Sequence, residues 1–327
     1  MVAVPANAQS VGNMPGSTAD CSHDTTASNA MCPALAAQPE TAWYIGMGST
    51  CSGLGRVADN YYHFLIDFAA AVVPLLQLDR PNVIFVEGNS PEKRRHSDTP
   101  CLMSLFHPFG WMESHFRSVF GQCVRMEHVN ATTLAHYAAH GAHRLDFDRP
   151  RHVNFSWSRR PARTYCRFRK LVLERAGLAA RPAGVWNKLL LLTRTNRSTA
   201  RLGKRTITMS LMATMVRFAA HSGLEGKVVE TNGSVPFLVQ ARSFATARAV
   251  VGNHGAGLSN IIFCSPGALL VELEPVLYPC FANLAERMAM GYLRYRQSLL
   301  TTSMRAEAHL VSRMRHALSA PLKPSAC

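Results

Sequence analysis

No stretch of the 327-residue chain approaches the roughly 18–20 consecutive apolar residues that a bilayer span needs. The N-terminus also lacks a basic stretch followed by an apolar one, so neither a membrane anchor nor a secretory signal is read in this chain. None of the nine cysteines falls in a C-x-x-C pair, which argues against a zinc ribbon or a thioredoxin-like redox motif. His136 and His140 have the i, i+4 spacing of a zinc pair, but the HExxH glutamate is missing and Gly141 follows. They read as structural or solvent-exposed histidines. A G-x-G-x-x-G loop with an acidic residue about 20 positions later is missing too, and with it the signature of a dinucleotide-dependent oxidoreductase. No internal repeat is found.

Acidic residues are scarce, and 20 Asp and Glu against 35 Lys and Arg leave a formal charge of +15. Such a surface attracts polyanions: nucleic acid, acidic lipid, acidic polysaccharide or the diphosphate of a nucleotide sugar. Arginines cluster from Arg144 to Arg181 with Phe155, Trp157, Tyr165 and Phe168 among them, which superficially suits single-stranded nucleic acid. Charge alone supports that reading, so no nucleic-acid partner is assigned and the stretch is taken as a solvated, partly anion-facing linker. Asp146 and Asp148 have the D-x-D spacing that can hold a metal. Arg144, Arg149 and Arg151 flank them, surface ion pairing is the commoner explanation, and no metal site is assigned.

What is present is the composition of a globular protein, 47% hydrophobic and 17% charged, with length enough for two α/β halves. Met1 to Glu40 has few large apolar residues and reads as a disordered lead-in or stem. Sequons at Asn130, Asn154, Asn196 and Asn232 suit a secretory lumen, where disulfides could also form; an odd cysteine count leaves at least one thiol unpaired within the chain.

From Asp59 to Leu78 a long apolar run predicts a buried helix with one polar stripe, Asn60, His63 and Asp67. The segment 82–87 reads as a buried parallel strand, and 112–120 and 131–139 as helical. Beyond residue 188 the alternation is clear: strand 189–192, helix 206–222, strand 227–230, helix 235–247 with Pro236 in its first turn, strand 249–252, short helix 259–264, and strand 268–272 after the Pro266-Gly267 turn. That order predicts a parallel, doubly wound sheet.

In such sheets ligands sit outside the carboxyl ends of the strands. Two ends are rich in the right groups: Arg194-Thr-Asn-Arg197, and Asn253-His-Gly-Ala-Gly-Leu258 leading into a helix. Gly255 and Gly257 are expected to take positive φ and to let backbone approach a pyrophosphate at the helix start. Arg194 and Arg197 would add charge-assisted hydrogen bonds.

The stretch Ala245 to Glu272, with its strand-HGAGL-S-N-helix-PG-strand-E order, closely resembles the signature of glycosyltransferase family 61. Asn60 to Asp67 is similar to that family's N-terminal His/Asp helix, and Leu192 to Arg197 to its strand-(S/T)-R motif. The resemblance implies a GT-B fold of two facing Rossmann-like parallel-sheet halves. The expected divisions are residues 41–180 on the acceptor side, 181–305 on the nucleotide-sugar side and a tail, 306–327. It further implies an inverting transfer from a UDP-sugar to a glycan or glycoprotein hydroxyl in the Golgi or ER lumen, with no cofactor and no obligatory metal.

Carried onto this chain, Arg194, Arg197, Asn253, His254, Gly255, Ala256, Gly257 and Leu258 become donor-binding residues, with Glu272 directed at the ribose hydroxyls. His63 and Asp67 become the base and its orienting partner. Two alternatives stay open: a His63–Asp67 pair that only satisfies itself, and a His254 that bonds its own loop. A catalytically inactive relative that keeps the donor fold is the competing function. Loss of the His63/Asp67 stripe would favour it, and the stripe is present.

Overall fold

The structure, a computed structural model, describes residues 41–45, 61, 65–66, 69–70, 73, 82–87, 124–129, 131–145, 161–178, 186–193, 207–231, 235–273, 279–296, 299–300 and 303–320. In chain order the elements are β1 (Thr41–Ile45), β2 (Asn82–Glu87), β3 (Val124–Val129), α1 (Ala131–Ala139), β4 (His143–Leu145), α2 (Ala162–Arg175) and β5 (Lys188–Thr193). They continue with α3 (Met209–His221), β6 (Glu225–Glu230), α4 (Phe237–Ala245), β7 (Ala247–Asn253), a 3₁₀ helix (Ala256–Phe263), β8 (Leu269–Leu273), α5 (Cys280–Arg287), β9 (Gly291–Tyr295) and α6 (Met304–Ser319).

The strands form two sheets, a four-stranded one in the order β3-β2-β1-β4 and a five-stranded one in the order β6-β5-β7-β8-β9. All pairs are parallel. In the larger sheet the chain runs outward from β5 to β6, then returns to place β7 on the other side of β5. The strand order therefore reverses between β5 and β7, which is where a doubly wound sheet opens a crevice.

Burial explains why these segments are strands. Leu190, Leu192, Val250 and Leu270 enter one apolar core, and Leu189, Leu191, Ala249, Val251, Leu269 and Val271 enter a second. Alternate side chains point to opposite faces, so unbroken apolar runs such as Lys188–Thr193 suit strands covered on both sides. The first core is closed by α2, α4, the 3₁₀ helix, α5 and the buried residues Leu65, Ile66, Ala69, Ala70 and Val73. The second is closed by α3 and α6 through Leu211, Met215, Phe218, Leu310 and Met314.

Three of the stretches that differ from the sequence reading bear on the larger sheet. The arginine-rich segment expected as a solvated linker contains α2, whose Tyr165, Phe168 and Val172 are buried. Their helical spacing is masked in sequence by the interspersed arginines, and burial removes both aromatics from any role in stacking bases. The expected tail overlaps α6, held by Leu310 and Met314 and by Glu307, which accepts from Ser210 Oγ at 3.3 Å and Thr214 Oγ1 at 2.9 Å. The Arg248 guanidinium also donates to Leu318 O and Gly267 O, both at 2.7 Å. β9 joins the sheet edge although no strand was read there. Residues 1–40 and the helix read at 112–120 lie outside the described residues.

At the end of α5 the chain makes a Schellman turn: Met290 N–H bonds Ala285 O at 2.8 Å and Ala289 N–H bonds Glu286 O at 3.0 Å. Ala289 takes the left-handed position with φ 53, where Gly177 and Gly223 serve after α2 and α3. A Cβ costs roughly 1–2 kcal/mol in that conformation, and glycine gives back part through unfolded-state entropy. Ala289→Gly is therefore expected to stabilise the protein by roughly 0.5–1 kcal/mol, read as a raised denaturant midpoint. An unchanged or lowered midpoint would contradict it.

Candidate functional site

Because every strand of the larger sheet runs the same way, Thr193, Glu230-Thr231, Asn253-His254 and Leu273 all arrive at one edge. Asn253 ends β7 beside the strand-order reversal. Its side chain is buried at 9% exposure, and among the described residues neither its Nδ2 nor its Oδ1 has a hydrogen-bond partner. A buried amide left in that state costs roughly 1–3 kcal/mol, which a protein keeps when something else satisfies it.

The loop that follows is tight for a reason other than the one expected. Gly255 is extended, with φ 172 and ψ 162, and neither Gly255 nor Gly257 lies in the left-handed region. Glycine at 257 is required by the protein's own packing: a Cβ there would stand 2.0 Å from Thr231 Oγ1 and 2.8 Å from Thr231 Cβ. Leu258 is buried over Gly252, whose added Cβ would meet it at 3.2 Å, and its N–H bonds Gly255 O at 2.9 Å. Gly255 is buried and Ala256 partly exposed. Gly255 to Gly257 form the entry of the 3₁₀ helix, where the first amides have no partner within the helix.

His254 and Glu272 meet behind this loop. His254 Nδ1–H donates to Glu272 Oε1 at 2.5 Å, and Tyr292 O–H donates to Glu272 Oε2 at 2.5 Å. Glu272 is only 1% exposed, so both oxygens are engaged inside the protein, where ribose hydroxyls had been the expected partners. The His254 backbone N–H donates to Leu273 O at 2.9 Å, and its ring lies edge-on to Phe281 with centroids 5.1 Å apart. Burial, and then the hydrogen bond and charge of Glu272, push the Tyr292 phenol up from its usual range, so it stays a donor.

Asn260 anchors the middle of the 3₁₀ helix. Tyr61 O–H donates to its Oδ1 at 2.7 Å, while its Nδ2 donates to Gln240 Oε1 at 3.0 Å and Gly257 O at 3.3 Å. Gln240 Nε2 continues the chain to Val235 O at 2.9 Å. Burial pushes the Tyr61 phenol up, keeping it a donor to a loop 199 residues away in sequence. Arg169 on α2 braces the exit by donating to Phe263 O at 3.4 Å and Ser265 Oγ at 3.3 Å; burial lowers its pKa. Between them the Cys264 thiol is pushed up to about 12 by burial, eased by Arg169, so it is an inert packing residue.

Sequence reading thus finds Asn253, His254 and Glu272 at one edge with Gly255, Ala256, Gly257 and Leu258. It missed Tyr292, Thr231, Asn260, Gln240 and Tyr61. Tyr292 and Arg294 alternate with apolar neighbours in β9, a period-2 pattern that could have exposed the strand. His63, Asp67, Arg194, Arg197, Asp146 and Asp148 lie outside the described residues. His136 and His140 are exposed, with rings stacked at 4.0 Å and His140 Nδ1–H donating to His136 O at 2.7 Å. Among the described residues no group of three or more His, Cys, Asp or Glu could hold a metal, and no helix is long and apolar enough to cross a membrane. A family model described as Glycosyltransferase 61 matches residues 61–271, more than half of the chain. No curated protein matches the chain.

The Thr231–Gly257 contact generates a two-part prediction. Gly257→Ala should destabilise the protein by roughly 1–3 kcal/mol, the usual cost of overpacking. Thr231→Gly in the same chain should recover part of that loss, as denaturant unfolding would show. Additive losses in the double variant would mean that the two sites do not share this space.

Proposed function

The chain belongs to glycosyltransferase family 61, and on that premise we propose that it is an inverting enzyme moving a sugar from a UDP-sugar to a glycan or glycoprotein hydroxyl. In this reading the transferred sugar is xylose, N-acetylglucosamine or arabinose. The two parallel sheets are the halves of a GT-B arrangement, with the donor on the β5–β9 sheet. The observation that carries the reading is the buried Asn253 amide, unpartnered among the described residues, at the strand-order reversal directly before the His254–Leu258 loop. An amide offers an NH2 donor group and a carbonyl acceptor in a dry place, which suits a sugar or ribose hydroxyl beside a phosphate oxygen.

The departing UDP carries its extra charge on the terminal phosphate. Amides at the 3₁₀ helix entry, His254, and the cationic Arg194 and Arg197 are the groups of this chain that meet that charge. His63, oriented by Asp67, takes the acceptor proton from the opposite side. No metal is needed for charge neutralisation in this scheme. Cys166 is disulfide-bonded, which favours an oxidising compartment such as the ER or Golgi lumen.

Two measurements test the reading. UDP at about 100 times its dissociation constant should stabilise the protein by roughly 2.7 kcal/mol, with GDP and CMP giving less. Asn253→Leu should lose most of that gain while melting higher than wild type without ligand, because it removes the unsatisfied amide. A variant that melts lower and binds UDP normally would remove Asn253 from the site. Sugar transfer should also persist in excess EDTA; activity restored only by manganese would sink the metal-free scheme.

A further inference from the structure

From the Tyr292–Glu272–His254 contacts we infer that Glu272 and Tyr292 are positioning residues, which aim His254 Nε2 at the terminal phosphate of the leaving nucleoside diphosphate. The inference rests on the donor-site reading above and assigns Glu272 a role other than ribose binding.

The geometry is that of a histidine held from behind. Glu272 is buried and accepts from His254 Nδ1–H through one oxygen and from Tyr292 O–H through the other. With Nδ1 occupied and the ring edge-on to Phe281, Nε2 is the nitrogen left for a ligand. The backbone N–H bond from His254 to Leu273 fixes the base of the side chain, so ring and backbone are both restrained. A buried carboxylate in this position sets the tautomer and orientation of an imidazole and compensates positive charge on it. β8 and β9 place Glu272 and Tyr292 on one sheet face: Tyr292 stands opposite Leu270, two residues before Glu272. The phenol thereby covers the second carboxylate oxygen, which would otherwise be free to rotate away from His254.

In the transfer, the acceptor oxygen forms a bond to the anomeric carbon as the bond from that carbon to the diphosphate oxygen breaks. The electron pair stays on the diphosphate, and the acceptor proton goes to the base on the opposite side. His254 takes part as the imidazolium, protonated from solvent before the step and compensated by Glu272: Nδ1–H stays hydrogen-bonded to Glu272, Nε2–H donates to the oxygen that gains the charge, and neither proton is transferred. This contact strengthens as the bond breaks, so it acts more on turnover than on ground-state binding.

The test compares UDP with UMP, which lacks the terminal phosphate, by titration calorimetry on the full chain. Wild type should bind UDP more tightly than UMP. Glu272→Gln should shrink that preference at least tenfold with UMP affinity unchanged, and Tyr292→Phe should do so more weakly. Turnover should fall by a larger factor than the donor KM rises. His254→Gln should show the same loss, and adding Glu272→Gln to it should cost nothing further, because both act through one contact. Equal losses for UDP and UMP, no change in either, or additive effects in the double variant would overturn the inference. Should Glu272→Gln fail to fold, Tyr292→Phe keeps the carboxylate and carries the same comparison. Absence of UDP binding in wild type would instead refute the donor-site reading itself.

Discussion

Parallel pairing in the five-stranded sheet is the constraint on which the rest depends. It brings every carboxyl end to one edge and requires both faces to be covered, because crossovers between parallel strands lay helices on them. Leucines and valines of β5, β7 and β8 divide alternately between the two cores. In these three strands polar groups are thereby confined to the ends. Asn253, His254 and Glu272 sit at the carboxyl ends of β7 and β8, and their chemistry follows from where apolar pairing stops.

The edge is costly to maintain. Asn253 is buried without partners among the described residues, and Glu272 is a carboxylate buried at 1% exposure. Glu272 is tolerable because two donors meet its oxygens at short range. Asn253 has no such compensation among the described residues, and the ligand proposed above would supply it. The surrounding frame is correspondingly rigid. Asn260 ties the loop to Tyr61 and Gln240, Arg169 braces its exit, and Thr231 leaves no room for a side chain at Gly257.

The second half of the chain was more legible in sequence than the first. Runs such as Leu189–Leu192 and Ala268–Glu272, bounded by turn residues, announce buried strands by composition alone, and their observed limits differ by a residue or two. α2 was hidden because arginines occupy the positions between its buried Tyr165, Phe168 and Val172. β1 and β4 are short and carry mixed residues, so neither periodicity nor length separates them from loop. α6 has a weak apolar face, with Leu310 and Met314 its buried contacts, and such a face becomes visible only against the surface it covers.

Sequence by itself determined the α/β class with a parallel sheet, the alternation of strands and helices in the second half, the Asn253–Leu258 loop at a strand end and membership of the family, because each depends on local order and spacing along the chain. Tertiary structure alone decided what those residues touch. Glycine at 257 answers to Thr231 on a neighbouring strand end, a contact no spacing rule contains. Glu272 could be read as a free carboxylate until β9 brought Tyr292 to one oxygen and the turn of the chain after β7 brought His254 to the other. Partners of a buried polar group come from elements distant in sequence, and its role is set by which of them arrive within hydrogen-bond reach.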